Sequence, residues 1–334
     1  MQRSLSRITM RIGKWGLLTL AATFLLGFAA PYPTSTYKVL AAAADSTTKP
    51  LTEKLFPIRG ITIGTTEKTL IQKLGEPNRK DPSEYGFTWF VYNKDYKQYA
   101  QIGVAAGRVV AAYSNAAGVK SNAGIAIGTT RKDAEAKLGK PLTTLKIGNT
   151  TWKLNDGKEL GRYTVGTGIV TLFYDIHAKN TVTSMLVMDK KTATTATATV
   201  KNAKLQAAYE RELFDLANSV RVRMELAPFK WDDTAAKTAR LHSADMAARK
   251  FFDHENPDGK SPFDRMEKQG IAYRLAAENI AAGQDNAIFA HESWMNSAGH
   301  RKNLLSAIAK FGAGVAFGGE YGIYYTQNFF TPLK

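Results

Sequence analysis

The stretch KFFDHENPDGKSPFDRM, residues 250–266, spells two competing chemistries. Gly259-Lys260-Ser261 has the closing triplet of a phosphate-binding loop, in which backbone N–H groups and the lysine cradle a nucleotide's phosphates. His254-Glu255-Asn256 instead offers the donors of a metal-binding or polar cleft rim. The first chemistry fails on spacing. G-x-x-x-x-G-K-[ST] requires glycine at position 254, where His254 stands, and no strand pattern leads into the loop. Pro257-Asp258-Gly259 is turn chemistry. His291-Glu292 opens a protease-like HExxH helix, but no histidine follows at the required spacing. The chain has no cysteine, which excludes disulfides, a thiol nucleophile, cysteine–zinc sites and a lipid-modified N-terminal cysteine.

The elements around this stretch must position it. In YERELFDLANSVRVRMELAPFKWDD, Leu213, Leu216 and Val220 fall at helical spacing, and Pro228 is expected to end the helix. Asp232 or Asp233 caps a second helix through TAAKTARLHSADMAARKFF, on which His242, four residues before Met246, reads as a packing or capping residue. After the His254 loop come AAENIAAG, a helix around HESWMNSAGHRKNLL, and the strand-like runs FGAGVAF and YGIYYTQNFF. Helices flanking a small sheet imply α-β-α layering. Trp294, Phe263 and the tyrosines of YGIYY read as core, while Gln327 and Asn328 are candidates for a cleft floor.

The middle of the chain repeats itself. GITIGTTEKTLIQKLGEP (60–77) and GIAIGTTRKDAEAKLGKP (124–141) align without gaps at an offset of 64, with 11 of 18 positions identical. Each copy reads as a short strand, a threonine-capped helix, and a stop at Gly75-Glu76-Pro77 or Gly139-Lys140-Pro141. Alternating strands follow each copy, so two α+β units are expected, each a helix on a small antiparallel sheet. No titratable cluster repeats with them, which argues for binding or scaffolding, and the isolated His177 reads as structural. KKTATTATATVKNAK (190–204) has no apolar periodicity and reads as a linker.

At the other end, Arg3, Arg7, Arg11 and Lys14 precede an uncharged run from Trp15 to Ala30. A basic segment followed by about 15 apolar residues is an export signal, short of the ~20 needed to span a bilayer. Ala41–Ala44 supplies small residues for cleavage. The formal charge is +16, distributed as +5 over residues 1–50, +8 over 51–190 and +3 over 191–334. Diffuse positive charge on an exported chain suits the polyanions of a cell envelope. With no binding motif or aromatic–basic array, it does not suit nucleic acid.

LHSADMAARKFFDHENPDGKSPFDRM, AAENIAAG, WMNSAGHRKNLL, FGAGVAF and YYTQNFF occur in the order and spacing of a bacterial CAP (SCP-like) domain, which residues 205–334 resemble. That superfamily includes cysteine-rich secretory proteins, antigen 5 and pathogenesis-related proteins. The repeat region resembles the N-terminal domain that accompanies some bacterial CAP domains. The implied fold is α+β: an α-β-α sandwich (205–334) behind a signal peptide (1–44), a two-repeat domain (55–190) and a linker (191–204). By resemblance, His254, Glu278 and His300 form the cleft constellation, and Ser297 stands where many members carry a second glutamate. Glu292, two residues before Trp294, is expected to face elsewhere. Two imidazoles and a carboxylate imply either a polar cluster or a weakly held divalent cation such as zinc, with no cofactor required.

The resemblance implies a secreted, non-enzymatic binding module for a lipid, envelope polymer or protein ligand, wall- or membrane-associated. Membrane attachment would come only through an uncleaved N-terminal segment. The competing expectation is a metal-dependent hydrolase or peptidase, with Glu278 moving the proton.

Overall fold

The computed structural model describes residues 56–195 and 201–333. The expected signal segment, residues 1–44, lies outside them.

The repeat helices are α1 (Glu67–Leu74) and α2 (Arg131–Leu138). Thr66 caps α1 by accepting from the Thr69 N–H, and Thr130 caps α2 by accepting from the Asp133 N–H. Both helices stop at a glycine with positive φ, Gly75 (78°) and Gly139 (84°), a backbone that side-chain-bearing residues rarely adopt. Strands β1 (Arg79–Pro82), β2 (Thr88–Tyr92), β3 (Ala100–Ala105) and β4 (Arg108–Ser114) follow α1. After α2 come the hairpin β5 (Thr144–Ile147) and β6 (Thr150–Lys153), then β7 (Leu160–Val165), β8 (Gly168–Asp175) and β9 (Thr181–Asp189).

The expectation of two separate small sheets is not met. One seven-stranded sheet runs β1-β2-β3-β4-β9-β8-β7, because β4 and β9 pair antiparallel from Ala111↔Met188 to Ser114↔Met185. Joining the units there removes two unpaired edges, which sheets otherwise have to protect. Both faces of the joined sheet are covered. One packs the helices through Leu70, Ala134 and Leu138. On the other, Trp89, Tyr113 and Phe173 meet Leu216 and Ile288 of the C-terminal domain. This accounts for β8, buried along its whole length and written as a nearly continuous apolar run. The β5–β6 hairpin stays off the sheet and is largely exposed.

The linker expectation also shifts. Residues Lys190–Thr194 form a helical turn, α3, capped by the Asp189 carboxylate on the Thr192 N–H. The long helix α4 (Ala203–Arg223) begins at the Asn202 cap, so the linker is shorter than 191–204. Helix α4 ends at Arg223, before Pro228, because Glu225 has turned left-handed (φ 59°).

The C-terminal domain continues with β10 (Lys230–Trp231), α5 (Asp233–Arg249), α6 (Pro262–Lys268), β11 (Tyr273–Ala282), α7 (Ala287–Asn296), α8 (Ala298–Leu304), β12 (Lys310–Phe317) and β13 (Ile323–Pro332). Its four-stranded sheet runs β10-β12-β13-β11. Strand β11 contains the AAENIAA segment, whose alanines and central Glu-Asn hide its strand character. Helix α5 lies directly on β12, where only glycine fits: a Cβ on Gly314 would stand 1.9 Å from the Arg240 amide nitrogen, and one on Gly312 2.1 Å from that of Ala236. On the opposite face Leu213, Trp294, Phe229, Phe311 and Phe329 fill the core. Full burial of each large apolar chain contributes about 1.5–3 kcal/mol.

Candidate functional site: a cleft shared by two domains

His254 sits in the loop after α5, Glu278 in the middle of β11, and Ser297 and His300 at the start of α8. All four line one cleft of about 2550 Å³. The architecture places them locally. The Asn256 side chain accepts from the Asp258 and Lys260 N–H groups and so closes the loop after His254. Ser261 and Asp264 form a capping box that starts α6 beneath it.

Glu278 is the centre of the constellation. Only 7% exposed, it accepts from His254 Nδ1 (2.8 Å) on Oε1 and from Arg265 Nη2 (2.7 Å) on Oε2. Its cross-strand neighbour is Asn328. Oriented to satisfy both neighbours, the Asn328 amide donates to Oε2 (3.2 Å) and accepts from the Ala239 N–H. His242 Nε2 lies 3.9 Å from Oε1 and 3.0 Å from the Asp253 carbonyl. Burial alone would raise the Glu278 pKa. The His254 hydrogen bond and the positive charge of Arg265 outweigh it and hold the carboxyl below its ordinary value.

His300 turns Nδ1 to Ser297 Oγ (2.8 Å), a hydroxyl–imidazole pair one helical turn wide that was not legible beforehand. Burial, reinforced by His254, pushes His300 down to about 4, so it is neutral at neutral pH. Asn303 ties the assembly together by donating to the Glu278 carbonyl and to Asn279 Oδ1 (2.9 Å).

His254, Glu278, Ser297 and His300 border one cleft. Asn328 does not: it is fully buried behind Glu278 and orients it from below. Gln327 is likewise buried, accepting from Asn279 Nδ2. The expected His254–Glu278–His300 ligand set is not assembled around one point, because Glu278 spends its oxygens on Arg265, Asn328 and His254 while His300 faces Ser297. Among the described residues no group of three or more His, Asp or Glu side chains is arranged to hold a metal ion. A guanidinium stands where a cation would compensate the carboxylate, so the residues present do not fit a tightly bound metal.

Sequence reasoning missed Arg265 and His242. Arg265 follows a capping box on a seven-residue helix, and nothing in its spacing marks it. His242 is fully buried rather than merely packed on its helix, and it points at the site. The Glu292 carboxylate reaches into the other domain, where Tyr113 Oη (2.8 Å) and Ser184 Oγ (2.5 Å) donate to it, although the residue also borders the cleft, against the expectation that it faces elsewhere. His177 also serves the domain seam, through Nε2 and the Asn296 carbonyl (2.9 Å).

The N-terminal domain supplies the opposite wall. Leu145, Ile147 and Trp152 of the β5–β6 hairpin, together with Ile176, border the same cleft as His254 and His300. The domains are held in this relation by a polar seam. Arg79, Asn93 and Tyr96 all donate to Asp215 of α4 at 2.8–2.9 Å. Gln101 donates to Glu212 (2.5 Å), and Arg301 pairs with Asp175 (2.8 Å).

A three-layer domain with an imidazole–carboxylate cleft, walled by a second α+β domain, defines a class that the comparisons name. Residues 63–198 match the CAP-associated N-terminal family and residues 214–329 the cysteine-rich secretory protein (CAP) family. YlbC of Bacillus subtilis (strain 168), an uncharacterized membrane protein, is 31% identical over 291 residues, covering 80% of this chain and 82% of the relative. YkwD, an uncharacterized protein of the same organism, is 31% identical over 238 residues, covering 60% of this chain and 91% of its own. An extracellular SCP-domain protein from Bacillus anthracis str. Ames has a TM-score of 0.72 at 29% identity, over 88% of this chain and 99% of that one. A cysteine-rich secretory protein from Staphylococcus aureus subsp. aureus Mu50 shares the fold, with a TM-score of 0.69 at 19% identity, over 84% and 94% of the two chains. The chain belongs to the CAP family and carries the CAP-associated N-terminal domain.

Proposed function

We propose that this is an exported, non-enzymatic binding protein of the cell envelope or exterior, whose ligand site is the cleft between its two domains. The observation that carries the reading is the state of Glu278. A general acid–base needs a pKa near the working pH and a free oxygen to move a proton. Glu278 is held low and engaged on both oxygens. The arrangement favours a fixed polar surface over hydrolysis. A divalent cation such as zinc would find only His254 and His300 uncommitted to Arg265, and would be held weakly.

Export rests on the basic and apolar pattern of residues 1–30. The similar Bacillus anthracis protein is described as extracellular, and YlbC as a membrane protein. Among the described residues no helix is long and apolar enough to cross a membrane.

The test assays wild type and Glu278→Gln against casein and p-nitrophenyl esters, with and without added zinc. The expected result is no turnover above background in either. Zinc-dependent turnover by wild type, lost in Glu278→Gln, would establish the hydrolase instead. Mass spectrometry of the protein in culture medium is expected to find an N-terminus close to Ala41–Ala44. Recovery of the intact chain in the membrane fraction alone would refute release.

A further inference from the structure

Among the described residues six large apolar side chains are exposed, and three of them, Trp152 (39%), Ile176 (41%) and Phe252 (41%), border the one cleft. They come from both walls. Trp152 and its cross-strand partner Leu145 share one face of the β5–β6 hairpin, while Phe252 lies in the loop beside His254 and packs on Tyr321 with centroids 6.1 Å apart. Small apolar patches are ordinary on a soluble protein, but partly exposed aromatic rings contributed to one cleft by two domains mark a binding surface.

Elsewhere the lining changes character. Ser297, His300 and Asn303 supply neutral hydrogen-bonding groups, His254 holds Glu278 through Nδ1, and that carboxylate is already answered by Arg265. Charges elsewhere on the lining are of both signs, five lysine and arginine side chains interspersed with seven carboxylates, and some are already paired with one another, as Arg162 is with Asp156. An anionic polymer has no complementary field to follow on this mixed, slightly acidic lining. The volume of about 2550 Å³ is more than twice the upper end of small-molecule sites, about 1,000 Å³.

We propose that the two domains jointly bind a neutral glycan chain, with sugar rings stacked on Trp152 and Phe252 and their hydroxyls hydrogen-bonded to the Ser297–His300 pair. The proposal rests on the interdomain cleft being the ligand site and specifies its ligand. Sugar rings carry an apolar C–H face and a hydroxyl rim, which matches aromatic platforms and polar groups on one lining. An acyl chain matches the platforms but offers no hydrogen-bonding partner to the polar groups of the lining, whereas sugar hydroxyls both donate and accept. The N-terminal domain is then half of the site, and its hairpin sets what the CAP cleft accepts.

The experiment titrates the full exported chain with a panel of soluble hexasaccharides (chitohexaose, cellohexaose, maltohexaose and mannohexaose), read by calorimetry and tryptophan fluorescence. Phosphatidylglycerol vesicles and an unstructured peptide library are run alongside. At least one hexasaccharide is expected to bind, with Trp152→Ala and Phe252→Ala each weakening it about tenfold or more. His300→Ala should weaken it too, while thermal unfolding of the exposed-site variants stays at the wild-type value. No binding to any hexasaccharide, or binding indifferent to Trp152→Ala and Phe252→Ala, overturns the glycan assignment. If vesicles or peptides bind instead and lose affinity in those variants, the glycan assignment falls and the cleft reading stands. If no probe of any class depends on these residues, both fall.

Discussion

Glu278 in the cleft and Glu212 in the domain seam are almost equally buried, 7% and 6% exposed, yet the protein treats them in opposite ways. Glu278 has a guanidinium on one oxygen and an imidazole on the other, and its carboxyl is held below the ordinary value. Glu212 has the neutral Gln101 amide, with Glu84 and Asp81 adding negative charge and Arg79 only partly opposing them. Burial first, and Glu84 second, push it up to about 8. Tyr99, Tyr209 and Tyr325 close around it without supplying a cation. Three residues further along α4, Asp215 shows that a cation was available to the seam, since Arg79 pairs with it at 2.8 Å. Burial therefore decides nothing about charge by itself. A carboxylate stays ionised inside a protein when a cation comes with it, and takes up a proton when none does.

Removing that cation from the cleft tests the contrast most severely. Arg265→Ala is expected to cost about 3–5 kcal/mol in urea unfolding, because it strands a buried charge, whereas replacing both partners (Arg265→Met with Glu278→Gln) should cost clearly less. Equal losses for the single and double variants would show that Arg265 acts by packing rather than by compensation.

The two sites also predict pH effects of opposite sign. For Glu278 the folded pKa is depressed, so its contribution is present above the unfolded value of about 4.3 and is lost as pH falls through the folded value. Glu212 has a raised folded pKa. The neutral seam is favoured most below about 4.3, and that advantage is lost as pH rises toward about 8, at up to about 1.4 kcal/mol per pH unit. Protection against hydrogen exchange in α4 and β3, relative to the intrinsic exchange rate at each pH, should therefore fall between about pH 4.3 and about 8 in the wild type, and Glu212→Gln should flatten that fall while leaving the acid limb in place. An unchanged alkaline limb in Glu212→Gln would place the titration at Glu292, Glu84 or Asp81, further carboxyls of the seam that burial raises.

The smallest effect concerns metal. Zinc affinity at neutral pH is expected to be micromolar or weaker, to be lost as pH falls through about 4 and His300 protonates, and to vanish in His300→Ala. Ser297→Glu should raise it by adding a carboxylate beside His300, since the two side chains are in contact. Nanomolar zinc binding by the wild type in calorimetry would mean that Arg265 leaves Glu278 when the ion arrives.

How far the sequence reaches can be judged residue by residue. The helix stops at Gly75 and Gly139 were legible, because a turn that needs positive φ selects glycine locally. The threonine caps, the helices carrying Leu213 and Met246, and the two C-terminal strands were legible for the same reason: each depends on neighbours a few residues away. Ordered motifs also marked His254, Glu278, Ser297 and His300 as cleft residues, which the folded chain brings to one wall.

What the sequence could not determine depends on partners far along the chain. The fusion of two repeat sheets at β4 and β9 was decided by edge strands finding each other. Arg265, His242 and Asn328 became parts of one carboxylate's surroundings only when α5, α6, β11 and β13 packed together. The second wall of the cleft, with Trp152 and Ile176, exists only because Asp215, Glu212 and Glu292 dock one domain on the other. Local backbone preference is written residue by residue, whereas compensation of a buried charge needs donors converging from several elements, and their convergence is a property of the packed chain alone.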